Sequence, residues 1–283
     1  EGVYLFDRGG NRYLDFVSGI AVNALGYGDP GLRSALHSAA DGLVHTSNLY
    51  HTTPGEILAR QLVEHSFASQ VFFCNSGGEA NEAAFKFARR WARTAGDDKA
   101  EIVALRGSFH GRLFGSLAAT DRPAYRLPFR PLAGGISIVE RDLNDIAAAL
   151  DPATAAAVIA EPVQGEGGVR VLDHGFLREL RALTRERGAA LILVEIQCGL
   201  GRTGTFFAYE QAGIEPDILT VAKPLAGGLP MGAVLMTDAI AGAIKPGDHG
   251  TTFGGGQFVA SVASYVVGRL ADPALLAHVR DTG

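Results

Sequence analysis

Lys223 closes the apolar run DILTVAK, the only lysine in the chain to do so, and is followed at once by Pro224 and by Gly227-Gly228. An ammonium at a desolvated strand end is disfavoured against the free amine, and a free amine condenses with a carbonyl to a Schiff base. The plain alternative is a lysine that snorkels to solvent. CNSGGEAN, residues 74–81, joins a strand-like run to the start of a helix. Ser76, Gly77 and Gly78 are small enough for unpaired N–H groups to approach an anion, and the helix dipole adds to the attraction, so a phosphate fits. Without a ligand, the same residues make a tight turn with a serine cap.

Two further clusters follow apolar runs. SFHGR supplies an aromatic face at Phe109, with His110 beside it and a guanidinium at Arg112; such a pair supports a flat heterocycle and takes a carboxylate bidentately, or simply packs. EPVQGEGG carries Glu161, Gln164 and Glu166, which could equally form a solvated acidic loop. GLGRTG, residues 199–204, matches the GxGxxG pattern of dinucleotide sites. The residues after it lack an apolar helical face, so a loop-shaping role is expected.

These residues need a scaffold that places strand ends together. VFFC, EIVALR, ISIV, AAVIAEP, AALILVE, DILTVAK and GAVLMT are strand candidates, several apolar at every position, as parallel strands covered on both faces read. Between them, EANEAAFKFARRWAR gathers Ala80, Ala84, Phe87 and Trp91 on one helical face, and HGFLRELRALTRERG ends at Gly188. An opening hairpin is expected around Gly9-Gly10-Asn11, then a helix capped by Asp29 with Pro30 at its first position. The fold class is therefore α/β with a doubly wound, mainly parallel sheet, whose ligands sit beyond the carboxyl ends of the strands.

Composition narrows the functional classes. In 283 residues, 30 acidic and 25 basic side chains give a net charge of −5, so no basic excess draws a nucleic acid or an anionic membrane. Any phosphate must be held locally. The two cysteines, Cys74 and Cys198, lack metal-ligand spacing and follow apolar runs, which predicts buried free thiols and no metal site. No secretory leader pattern opens the chain, so a cytoplasmic location is the expectation.

In this order, NSGGEAN, SFHGR, AEPVQGEGG, EIQCGLGRTG, AKPLAGGLPMGA and HGTTFGGG resemble the class III, or ω-amino acid, aminotransferases, which use pyridoxal 5′-phosphate on a fold-type-I scaffold. HTSNLYHTTP, residues 45–54, is most similar to the acetylornithine branch of that family. The resemblance implies transfer of the terminal amino group of an N-acetylornithine-like donor to 2-oxoglutarate, a step of arginine biosynthesis, in a homodimer. It implies that Lys223 carries the cofactor and shuttles a proton, that Gly77 and Gly78 hold the phosphate, and that Thr252 reaches the site of a second subunit. Phe109 and Ile196 would cover the two ring faces and Gln197 would approach the ring hydroxyl. Arg112 would take the substrate α-carboxylate, and Glu166 matches a switch glutamate whose arginine partner belongs to a later segment. It further implies three parts: residues 1–45 as the start of a small domain with its link, 46–268 as the cofactor domain, and 269–283 as the start of a truncated C-terminal small domain.

One departure bears on chemistry. The family places an aspartate, paired with the pyridine nitrogen, where this chain has Val194. Glu195 is no substitute, since adjacent strand residues face opposite ways. A cofactor-binding but catalytically impaired homologue or truncated fragment, or a transaminase for ornithine, succinylornithine or γ-aminobutyrate, is the alternative reading. Gln257 also replaces the usual proline, and Gly78 the usual alanine or threonine.

Overall fold

A strand that is apolar on every residue demands cover on both faces, and the seven runs read from the sequence meet that demand in one sheet. The computed structural model describes residues 2–283. The chain opens with an antiparallel hairpin, β1 (Tyr4–Phe6) and β2 (Arg12–Leu14), turning at the predicted glycines. The central strands are β3 (Gln70–Cys74), β4 (Glu101–Leu105), β5 (Ile136–Val139) and β6 (Ala155–Ala160). After a small ribbon of β7 (Val163–Gln164) and β8 (Arg170–Val171), the sheet is completed by β9 (Ala190–Val194), β10 (Ile218–Val221) and β11 (Gly232–Met236). Their order is β3-β11-β10-β9-β6-β4-β5. All neighbours run parallel except at β11, which is antiparallel to both β10 and β3.

Successive side chains feed separate cores. Val103, Leu105, Leu191, Leu193, Leu219 and Val221 face one layer, while Ile102, Ala104, Ala190, Ile192, Val194 and Ile218 face the other. The first layer is closed by α2 (Thr53–Glu64), α5 (His174–Glu186) and α6 (Gln257–Leu270), the second by α3 (Gly77–Ala92). The remaining longer helices are α1 (Pro30–Ala40), α4 (Leu143–Ala149) and α7 (Pro273–Thr282). Asp29 caps α1 through Oδ1, which accepts from Leu32 N at 2.7 Å, and Gly188 ends the α5 region at φ +60°. Truncating one of the fully buried leucines, such as Leu191, costs about 2–5 kcal/mol because a cavity replaces its contacts.

Among the described residues no single helix is long and apolar enough to cross a membrane. Cys74 and Cys198 are buried and free. Burial pushes the Cys74 thiol up to about 12, so it is not a nucleophile at neutral pH. The GLGRTG stretch is a chain of turns, and a short 3₁₀ segment (Ala208–Ala212) follows it in place of a helix. The dinucleotide reading fails there, because it needs a helix N-terminus directly behind the glycines.

Candidate active site

Five strands deliver their carboxyl ends to one edge of the sheet: β3 leads to Ser76, β4 to Phe109, β6 to Glu161, β9 to Ile196 and β10 to Lys223. There they surround a cavity of about 180 Å³ lined by Gly77, Gly78, Phe109, His110, Gly111, Glu161, Val163, Glu166, Val194, Ile196, Gln197 and Lys223. Eight sequence-predicted residues thus meet in one place: Lys223, Gly77, Gly78, Phe109, Ile196, Gln197, Glu166 and Val194. Two do not. Arg112 is exposed with its guanidinium 4.8 Å from the Tyr125 ring centroid, and Thr252 sits exposed on the loop before α6.

Each wall has a local cause. Ser76 caps α3 by accepting from Glu79 N at 3.2 Å, and its carbonyl accepts from Ala80 N at 3.0 Å. The N–H groups of Gly77 and Gly78, without acceptors in the first turn, remain for a ligand. A side chain at 77 would bring its Cβ to 2.8 Å from Ile196 Cδ1, so glycine is what lets the anion turn approach the apolar wall. At Gly165 a Cβ would overlap the Gln197 carboxamide. That carboxamide ends a flexible side chain. Gly165→Ala should therefore cost the fold less than about 1 kcal/mol while displacing Gln197, read as an unchanged melting temperature with weakened cofactor binding by spectroscopic titration.

Burial lowers the Lys223 pKa, against the opposing pull of Glu166 and Glu161. Of the four lysines, Lys86, Lys99, Lys223 and Lys245, only Lys223 lines this cavity. Lys99 is committed to the carbonyls of Pro152 and Gly188 at 2.9 and 3.1 Å. Glu161, which accepts from Phe109 N at 3.0 Å, is pushed by burial up to about 8. His110 is buried with both ring nitrogens lacking a hydrogen-bond partner, and burial holds it down to about 3, so the imidazole is neutral. Glu195 faces away from the cavity, accepting from Ala208 N and Tyr209 N at 2.6 and 2.7 Å, and burial raises it to about 8.

The two buried glutamates set a sign for pH dependence. Their folded pKa values of about 8 exceed the ordinary 4.5, so the folded chain holds protons that the unfolded chain releases. Their contribution is complete below about pH 4.5 and is lost as pH rises through about 8. Glu161→Gln should flatten that decline between pH 5 and 8.5, measured as the difference in melting temperature between variant and parent.

An amine, an N–H cradle and an aromatic face around one slot match the three recognition points of an aromatic aldehyde phosphate. Pyridoxal phosphate is such a molecule, and the residues present fit it. The model for class-III aminotransferases matches residues 1–283. The chain belongs to the class-III aminotransferases. It is 48% identical, over 99% of its length, to an acetylornithine aminotransferase of Xanthomonas axonopodis, and spans 69% of that protein. The same identity and shares relate it to a succinylornithine transaminase of Yersinia pseudotuberculosis. Among solved structures, an N-acetylornithine aminotransferase from Stenotrophomonas maltophilia aligns at TM-score 0.82 and 40% identity, covering 98% of this chain and 68% of that one. An ornithine aminotransferase from Toxoplasma gondii aligns at TM-score 0.93 and 32% identity, covering 98% and 67%. The enzyme is thus a pyridoxal-phosphate-dependent transaminase, and these relatives weigh against the catalytically silent alternative.

Gly165 carries no signal of its own in the sequence, because its need to be glycine appears only when Gln197 folds against it. Gln257, where the family has proline, is the first residue of α6, a position that accepts proline because its N–H has no helical acceptor.

Proposed function

We propose that this enzyme moves the terminal amino group of an N-acetylornithine-like donor to 2-oxoglutarate. What supports the reaction is the half-buried Lys223 amine, held beside the Gly77-Gly78 turn in a slot walled by Phe109 and Ile196. What supports the donor is the likeness to relatives that act on N-acylated ornithines. The cofactor, when bound, supplies an electron sink for the carbanion that follows loss of the donor proton. The chain supplies the rest. Gly77 and Gly78 would hold the phosphate through backbone N–H groups, Phe109 and Ile196 would cover the ring, and Gln197 would approach the ring hydroxyl. Lys223 takes the proton from the donor carbon and returns it one position away. The depressed Lys223 pKa supports this task, since a larger fraction of the amine is free to act as base near neutral pH.

Arg112 holds the donor α-carboxylate, leaving its place over Tyr125 when substrate enters, and Glu166 governs the charge that the second substrate meets. Thr252 completes the phosphate site of a second subunit in a cytoplasmic homodimer, consistent with its exposure outside its own cavity. Residues 46–268 form the cofactor domain, flanked by the small-domain pieces 1–45 and 269–283, and the step serves arginine synthesis. A single-turnover panel tests the donor. N-acetylornithine and N-succinylornithine should convert the cofactor at least about tenfold faster than ornithine, and preference for ornithine would assign the enzyme to another branch.

A further inference from the structure

The loop that carries Thr252 is tied to the chain's own anion turn by one side chain. Asn75, immediately before Ser76-Gly77-Gly78, donates from both N and Nδ2 to Glu79 Oε2 at 2.9 Å. The same Nδ2 donates to Thr251 Oγ1 at 3.3 Å. Thr251 Oγ1 also accepts from Gly254 N at 3.2 Å, which closes the loop on itself. Asn48 Nδ2 holds the other side, donating to Thr251 O at 2.7 Å and Gly254 O at 3.2 Å. Upstream, Asp248 accepts from Arg90 Nε at 2.9 Å, and Lys86 Nζ lies 2.8 Å from His249 Nδ1. Both cations project from α3, the helix whose N-terminus is the anion turn. Thr252 is therefore an exposed residue on a loop fastened on both flanks, a costly arrangement for a mere connection.

We infer that Asn75 is a positioning residue for both halves of the phosphate site: the Gly77-Gly78 turn of its own subunit and the Thr252 hydroxyl offered to the neighbour. This rests on the reading of Thr252 given above. Through Glu79, Asn75 fixes the turn's register against the first turn of α3. Through Thr251, it fixes where the next residue, Thr252, is presented. Glu79 is the counterweight, since its carboxylate orients the amide so that one N–H is free to reach Thr251.

The test uses the full chain and reads equilibrium affinity for pyridoxal phosphate by absorbance titration of the apoprotein. Thr251→Val keeps the volume and removes the acceptor, while Thr251→Ser keeps the acceptor and removes a methyl. Asn75→Ala and Thr251→Val should each weaken binding about three- to tenfold, the worth of one hydrogen bond. Thr251→Ser should stay near the parent value, and Thr252→Ala should weaken binding with little further loss when Thr251→Val is added, whereas Asn75→Ala in the same background should weaken it further through the Gly77-Gly78 turn. A packing role predicts the reverse order for the two Thr251 variants and would overturn the proposal. So would parental affinity in Thr251→Val alongside weakened binding in Thr252→Ala. Parental affinity in Thr252→Ala itself would sink the reading of Thr252, a distinguishable failure that takes this inference with it.

Discussion

Lys223→Ala should lose turnover by about 10²–10⁴-fold, the contribution of a positioned proton-transfer group, while the protein stays folded. The fold should tolerate the change because Lys223 is half-buried and makes no hydrogen bond or ion pair among the described residues, and its ammonium is disfavoured by burial. Removing it relieves a desolvation cost and leaves no partner orphaned. Phosphate recognition should survive, because the contacts proposed for Gly77 and Gly78 use backbone N–H groups that the substitution does not touch. The expected outcome is an enzyme that still retains pyridoxal phosphate on dialysis, melts near the parent temperature and turns over at the residual rate. Added methylamine, a small free base, should restore part of the rate by entering the vacated space. Equal activity in Lys223→Ala would place the proton transfer on another group.

Val194→Asp carries the second large effect, in the opposite direction. Val194 ends β9, is buried and lines the cavity with an isopropyl group where the family resemblance places a carboxylate. Glu195 cannot serve, since both its oxygens are occupied by Ala208 N and Tyr209 N on the far side. Glu161, with a pKa of about 8, is largely neutral at pH 7. His110 is neutral as well. No fixed negative charge therefore stands at position 194 to keep a pyridine nitrogen protonated. A nearby carboxylate shifts such a group by roughly 1–3 units, or about 1.4–4 kcal/mol, and the part of this felt in the transition state should accelerate proton abstraction from the donor, up to a ceiling of about 1000-fold. The desolvation of the new carboxylate opposes this. Single-turnover conversion with N-acetylornithine measures the rate, and the ¹⁵N shift of labelled cofactor reports ring protonation independently. A faster rate without a change in ring protonation would assign the gain to another cause.

The sequence reveals those parts of the site whose chemistry coincides with a strand end. Lys223, the Ser76-Gly77-Gly78 turn and Phe109 each follow a run whose apolar pattern marks a covered strand, so residue type and position could be read together. The wholly apolar runs do not reveal direction. GAVLM at 232–236 looks no different from its parallel neighbours, yet β11 is antiparallel, because the pattern records burial on two faces and carries nothing about polarity. Gly165 and Asn75 were hidden for another reason: their importance lies in contacts across the chain, and the Asn75 to Thr251 bond joins residues 176 positions apart. Residue type alone makes Arg112 a candidate carboxylate binder, but its rest position over Tyr125 is a matter of tertiary packing. Glu195, adjacent to Val194, turns its carboxylate to Ala208 N and Tyr209 N, as the two-residue period of a strand requires of neighbouring side chains.

Reduction of the cofactor-loaded protein with borohydride, followed by peptide mass mapping, identifies the lysine that carries pyridoxal phosphate. The four lysines make the outcome discrete. A reduced pyridoxyl phosphate adduct should appear on the peptide containing Lys223 and on none of those containing Lys86, Lys99 or Lys245. An adduct confined to another lysine, or no adduct after loading, would contradict the role of Lys223 as the carrier.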